Sequence, residues 1–327
     1  GRFRHHQCSS VEMESHRQFV RHSERVKSVD LHPSEPWLLV GLMNGEVNVW
    51  NYQTEALVKN FKVCESPVRA AVFVARKGWV ITGSDDKHVR VYDYNSGECL
   101  RQFEAHNDFV RSIAVHPTKP IILTAGDDKL IKQWNWENEW ALEQTYEGHG
   151  HYVMQVVLNP KDGDSFASAS MDNTIKLWHI GSATAVGTLV GHEKGVNCVD
   201  FCHGSDKSYL VSGADDHLVK IWDYKTKKCV HTLEGHTMNV TSVRFHPSLP
   251  LVISAAECMG DLSGTVRVWN AESNRLESVL NDELERAWCT RVVGDTVAVG
   301  YDKGCVVHRI TNKQVQKSSG ASDKKAE

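Results

Sequence analysis

The apolar positions of this 327-residue chain fall in short alternating runs that close on an aromatic residue: Val-Asn-Val-Trp50, Ile-Lys-Leu-Trp178, Val-Lys-Ile-Trp222 and Val-Arg-Val-Trp269. Alternation with β-branched residues is the period of a half-buried strand. The closing aromatic recurs: Trp50, Tyr92, Trp134, Trp178, Trp222 and Trp269 lie 42, 42, 44, 44 and 47 residues apart, and His308 takes the corresponding place 39 residues on. Three further signals run in phase. One is Ala105-His106, Gly148-His149, Gly191-His192 and Gly235-His236; another is an Asp six residues before the aromatic position, at Asp86, Asp128, Asp172, Asp216 and Asp302. The third is a His-Pro turn at 32–33, 116–117 and 246–247. Repetition at this period decides the architecture before local propensity does.

Composition narrows the function classes. Apolar residues make up 41% and charged residues 24%, ordinary globular usage, and 41 acids against 37 bases leave a net charge of −4. That balance argues against a general binder of nucleic acid, and no basic stripe accompanies Trp136 and Trp140. No apolar run approaches the ~18 residues of a membrane span. Nine cysteines without a CxxC pair read as reduced thiols of a cytosolic protein. A zinc reading of Cys198, Cys202 and His203 is weak, because the residues alternate on a strand and no second pair follows. There is no Gly-rich phosphate loop, GxSxG or HExxH, so neither enzyme activity nor a cofactor is expected.

Units of about 40–45 residues with four short strands, Gly-His near the start and Trp-Asp near the end resemble the WD40 repeat. Trp222-Asp223 is the one literal Trp-Asp. Seven such units imply an all-β, seven-bladed WD40 β-propeller. The repeat's hydrogen-bond network maps, in the fourth blade, onto His149, Ser168, Asp172 and Trp178, so these histidines are read as structural. The expected organisation is a disordered extension over 1–12, the propeller over 13–310 and a disordered Lys-rich tail over 311–327. Met13 to Phe19 should close the short last unit as its outer strand. Extra residues between Glu257 and Ser263 should bulge from the sixth blade.

Several stretches go beyond the repeat: Glu24-Arg-Val-Lys-Ser-Val-Asp-Leu-His-Pro, Pro67-Val-Arg-Ala70, Phe103-Glu-Ala-His106, Arg111-Ser-Ile-Ala-Val-His-Pro, His151-Tyr-Val-Met154 and Glu285-Arg-Ala-Trp288. From about Arg17 to Ile310 they resemble the amino-terminal propellers of the coatomer beta-prime family, of the COPI vesicle coat. The resemblance implies recognition of carboxy-terminal dilysine tails (KKxx or KxKxx) of membrane cargo for Golgi-to-endoplasmic-reticulum retrieval. It also implies other coatomer subunits as partners, and a place in the cytoplasm on the coated Golgi membrane, peripheral to the bilayer. Relatives continue into a second propeller and a helical solenoid, so the chain reads as an excised domain or a shortened relative. A general WD40 interaction scaffold, such as a ubiquitin-ligase substrate receptor or a ribosome-associated adaptor, is the alternative.

A dilysine receptor needs cations for the terminal carboxylate and carboxylates for the lysines. The resemblance maps the carboxylate site onto Arg25, Lys27 and Arg69, at strand starts of neighbouring blades, and the lysine site onto Asp108, Asp127 and Asp215. Solvated rim charges and turn-favoured Asp are the bland alternative. Met43 stands where the family ordinarily has Tyr. The last residues, Asp323-Lys-Lys-Ala-Glu327, themselves match KKxx; coincidence in a Lys-rich tail and self-occupancy of the mouth are both open readings.

Overall fold

The computed structural model describes residues 11–19, 24–258 and 265–312. These form seven four-stranded antiparallel sheets, the blades of a β-propeller. Each inner strand packs on the inner strand of the next blade, and the seventh, Ala287–Val293, packs on the first, Val26–Leu31, so the ring closes. Six blades follow the chain in order. The last is assembled from both ends: Ala287–Val293, Thr296–Tyr301 and Gly304–Asn312, with Val11–Phe19 on the outer edge. In this closing pair Met13 faces Ile310 and Phe19 faces Cys305. Met13 packs against a cluster that includes Tyr301 and Ile310. The pairing reaches Val11 and Asn312, slightly beyond the expected 13–310. The rest of both termini, the KKxx-like end and the extra turn at 259–264 lie outside the described residues.

The repeated residues do the work expected of them between the strands. In the fourth blade the Trp178 indole N–H donates to Ser168 Oγ at 2.8 Å, His149 Nε2 lies 2.6 Å from the same hydroxyl, and His149 Nδ1 lies 2.7 Å from Asp172. The fifth blade repeats this with Trp222, Ser212, His192 and Asp216, and the third with Trp134, Thr124, His106 and Asp128. Every polar group on the wholly buried Trp178 is thereby satisfied, and a large aromatic can sit between blades. Gly148, just before His149, holds φ +156, where a side chain would be strained and its Cβ would press on Trp178. The His-Pro turns are also capped internally: His116 Nδ1 accepts the backbone N–H groups of Thr118 and Lys119.

Asp302 departs from the sequence expectation. Counted by spacing with the turn acids Asp86, Asp128, Asp172 and Asp216, it instead faces one mouth of the ring. The seventh blade uses different groups for its core network: Asp282 accepts from Tyr301 Oη and lies 2.8 Å from His308 Nε2. With no Gly-His and no Trp there, the turn acid has no histidine to hold.

Candidate functional site

Two short features, repeated in all seven blades, build one mouth of the channel. The first is a β-bulge after the first residue of each inner strand. A bulge leaves one residue unpaired and re-aims its side chain. The unpaired residues are Lys27, Arg69, Arg111, Met154, Asn197, Thr241 and Trp288, and all seven line a central channel of ≈1030 Å³. The second is a backbone hydrogen bond that fixes the residue following each second strand. Met43, Asp85, Asp127, Met171, Asp215, Glu257 and Asp302 each donate their N–H to the carbonyl of the residue that precedes their own blade's inner strand, at 2.9–3.0 Å. The backbone thus presents fourteen equivalent positions, and only the side chains differ.

Most charges on this ring are clamped within a blade. Arg69 grips Asp85 through Nε and Nη2 at 2.5 and 2.9 Å, and Arg111 grips Asp127 at 2.5 and 2.8 Å. Asp302 accepts from Arg286, Arg25 and the Trp288 indole at 2.8, 2.6 and 2.8 Å, which hold its carboxyl below the ordinary range despite its burial. The first blade breaks the pattern because Met43 occupies the acid's place. Lys27 therefore has no carboxylate partner among the described residues. Its ammonium lies 4.2 Å from the centroid of the Trp288 ring, with Arg25 and Arg286 over the same ring at 4.8 and 5.0 Å. Burial, reinforced by Arg69, Arg25 and Arg111, pushes the Lys27 pKa down to about 8. Two ring acids also lack a guanidinium. Asp215 accepts from Asn197 Nδ2 at 2.7 Å, and Glu257 has no side-chain partner among the described residues. Once the clamps are discounted, Lys27 has no carboxylate partner and Asp215 and Glu257 have no guanidinium partner among the described residues.

The structure brings Arg25, Lys27 and Arg69 together at this mouth, while Asp215 lines the channel across from them. Asp127 is buried with both oxygens committed to Arg111. Asp108 accepts the Phe109 N–H and has no ion-pair partner among the described residues. Sequence reasoning left out Arg111, Trp288 and Glu257. Arg111 was findable, since it follows a strand-opening Val as Lys27 and Arg69 do; Glu257 was hidden because the following turn departs from the repeat. The tryptophans Trp136 and Trp140 belong to a different place, packed with Trp79 at the opposite ends of the strands. Among the described residues no group of His, Cys, Asp and Glu is arranged to hold a metal ion.

Comparison with known proteins agrees with this architecture. The family described as WD domain, G-beta repeat matches residues 13–51, 56–93, 97–135, 140–179, 183–223 and 227–270. The match stops at Asn270, before the three strands that the end of the chain gives to the seventh blade, the blade with the different core network. The chain is 60% identical to coatomer subunit beta' of Rattus norvegicus over 310 residues, 94% of this chain and 34% of that protein. It is 61% identical to the Drosophila melanogaster protein over 306 residues and 58% identical to the Homo sapiens protein over 310, covering 33% and 34% of them. The chain therefore spans about a third of the length of the curated relatives it matches. With six repeats matched in sequence and a seventh built in the structure, the chain belongs to the WD-repeat family.

Proposed function

We propose that this propeller is the cargo-reading domain of a COPI coat subunit, and that its mouth takes the carboxy-terminal dilysine tail of a membrane protein. The observation that carries this reading is Lys27. A cation without a carboxylate partner among the described residues, backed by Arg25, Arg69 and the face of Trp288, is a receptor for an anion from outside. A terminal carboxylate fits it. The ligand must also be cationic, because unclamped acids share the mouth: Asp215 in the channel and Asp108 at the entry to the third blade. Asp127 contributes indirectly, by keeping Arg111 neutralised. A phosphorylated ligand would be repelled by those acids, which sets this reading apart from a phosphopeptide scaffold. The resemblance to coatomer subunit beta' supports the same assignment, with other coatomer subunits as partners and the cytosolic face of Golgi membranes as the place of action.

The test is a titration of the whole chain with an acetylated KKxx peptide, its carboxy-terminal amide and a peptide with both lysines replaced by serine. Binding of the free acid alone is the expected result. Equal affinity for the acid and the amide would show that Lys27 reads no carboxylate.

A further inference from the structure

The surroundings of Lys27 favour a free amine as well as an ammonium. The β-bulge aims its side chain into the channel, and with Met43 in the acid's place it has no carboxylate partner among the described residues. The cations that face it are Arg25, Arg69 and Arg111, and the acid that shares its field is Glu257. Burial pushes the neighbouring Cys289 thiol up to about 12, so it supplies no anion at neutral pH. The clamps use only part of each guanidinium: Arg25 spends Nε on Asp302, while Arg69 and Arg111 spend Nε and Nη2 on Asp85 and Asp127. Among the described residues the remaining Nη groups make no hydrogen bond. The Trp288 ring, 4.2 Å from the ammonium, supplies an apolar wall. Other lysines differ: Lys62, Lys119 and Lys303 each lie against a carboxylate, of Glu65, Asp164 and Glu285.

We propose that Lys27 is a site of acyl modification, taking its acyl group from an anionic donor of the acyl-phosphate class, and that the modification closes the mouth to tails. The free amine attacks the acyl carbonyl. The C–N bond of the amide forms, the C–O bond to phosphate breaks, and the amine's proton leaves on inorganic phosphate. The guanidinium N–H groups left over by the clamps attract the donor's phosphate and stabilise the charge that develops on it. With a pKa of about 8, about one-tenth of Lys27 is free amine at pH 7, against about one part in 2,500 for an ordinary lysine of pKa ~10.4. A weaker base is also a weaker nucleophile; a Brønsted slope of about 0.5, of the kind seen for thiols, returns half of that lead on a logarithmic scale and leaves about tenfold. The product amide carries no charge, so the mouth loses the cation that faces the tail's carboxylate. That consequence rests on the tail-binding reading above; the modification itself does not.

The experiment exposes the full chain at pH 7 to a low dose of acetyl phosphate and follows acetylation at each lysine by peptide mass spectrometry. Lys27 should react about tenfold faster than the exposed Lys129 and Lys225. Its lead should be smaller with N-acetoxysuccinimide, a neutral donor that the cations do not attract. Met43→Asp, which gives Lys27 a carboxylate, should remove the lead. A free-acid KKxx peptide should protect Lys27, whereas its amide, which carries the same lysines, should not. The chain acetylated at Lys27 should bind the free-acid peptide about tenfold more weakly, as after loss of one charge-assisted hydrogen bond. A Lys27 no faster than Lys129 and Lys225, or a lead that persists in Met43→Asp, overturns the proposal; equal peptide affinity after acetylation overturns the closing of the mouth. Equal protection by acid and amide, with the lead intact, overturns the tail-binding reading and leaves the modification standing.

Discussion

Raising the pH from 7 to 9 should weaken binding of an acetylated dilysine peptide by about tenfold, with Lys27 as the cause. With a pKa of about 8 the Lys27 side chain of the free mouth is about nine-tenths charged at pH 7 and about one-tenth at pH 9. A carboxylate held against it favours the charged form and returns the pKa toward the ordinary ~10.4. The bound lysine then stays protonated throughout this range, so the affinity follows the charged fraction of the free state. The ratio of fractions is about ten, or about 1.4 kcal/mol. The same linkage requires proton uptake: near pH 8 about half a proton should be taken from the buffer for each peptide bound. Calorimetric titrations at three pH values, in two buffers of different ionisation enthalpy, read both quantities. The peptide's own lysines remain almost fully charged up to pH 9 and contribute little. Lys27→Arg should flatten the profile, because a guanidinium does not titrate here. A flat profile in the unaltered chain, or an equal slope in Lys27→Arg, would refute the reasoning.

Three other outcomes follow from the same geometry. Because the folded chain carries a lysine whose pKa is depressed, Lys27 costs stability while it is charged in both states. Lys27→Met should therefore stabilise the chain at pH 7, by up to about 3 kcal/mol in denaturant titration, with the gain shrinking as pH rises from about 8 toward 10.5. Arg111→Leu should cost about 3–5 kcal/mol by stranding the buried Asp127, whereas Arg111→Leu with Asp127→Leu should cost clearly less; equal costs would mean that the clamp is not a unit. The Asp172 carboxyl, held low by His149, Thr174 and the Gly150 N–H, contributes stability that is present above its unfolded pKa and lost as pH falls. Asp172→Asn should lower stability at pH 7 by about 1–3 kcal/mol and make it less sensitive to acid, as followed by tryptophan fluorescence.

The number of blades and their closure were legible because packing demands repetition. A buried Trp needs a hydroxyl, the hydroxyl needs a His, and the His needs an Asp, so in the third, fourth and fifth blades all four residues recur in phase. The mouth was legible only in part, because its backbone is repeated while its chemistry is not. Val-Lys27, Val-Arg69 and Val-Arg111 look alike in sequence. Whether each cation is free depends on Met43, Asp85 and Asp127, which lie 16 residues further on and meet them only through strand pairing. For the same reason Asp127 and Asp215 read as equivalents, each the first of an Asp-Asp pair. An Arg in one blade and an Asn in the other gives them opposite fates.

Met43 makes this dependence testable in a single residue. Its N–H bonds the Arg25 carbonyl just as the Asp85 N–H bonds that of Pro67, so an acid placed there would meet Lys27 much as Asp85 meets Arg69. Met43→Asp should therefore clamp Lys27, which has no carboxylate partner among the described residues. The lysine's pKa should rise back toward its ordinary value, and the chain should gain stability at pH 7 as the buried charge finds a partner. Tail binding should fall, because the peptide carboxylate would now face a neutralised lysine and an added anion. The loss should be at least tenfold, on the scale of one charge-assisted hydrogen bond. The proton uptake at pH 8 should vanish with it, since no titrating lysine remains. The variant separates two roles that a deletion of Lys27 confounds: the lysine is still present, and only its freedom is gone. If Met43→Asp binds the free-acid peptide as tightly as the unaltered chain, an unclamped Lys27 is not what receives the carboxylate.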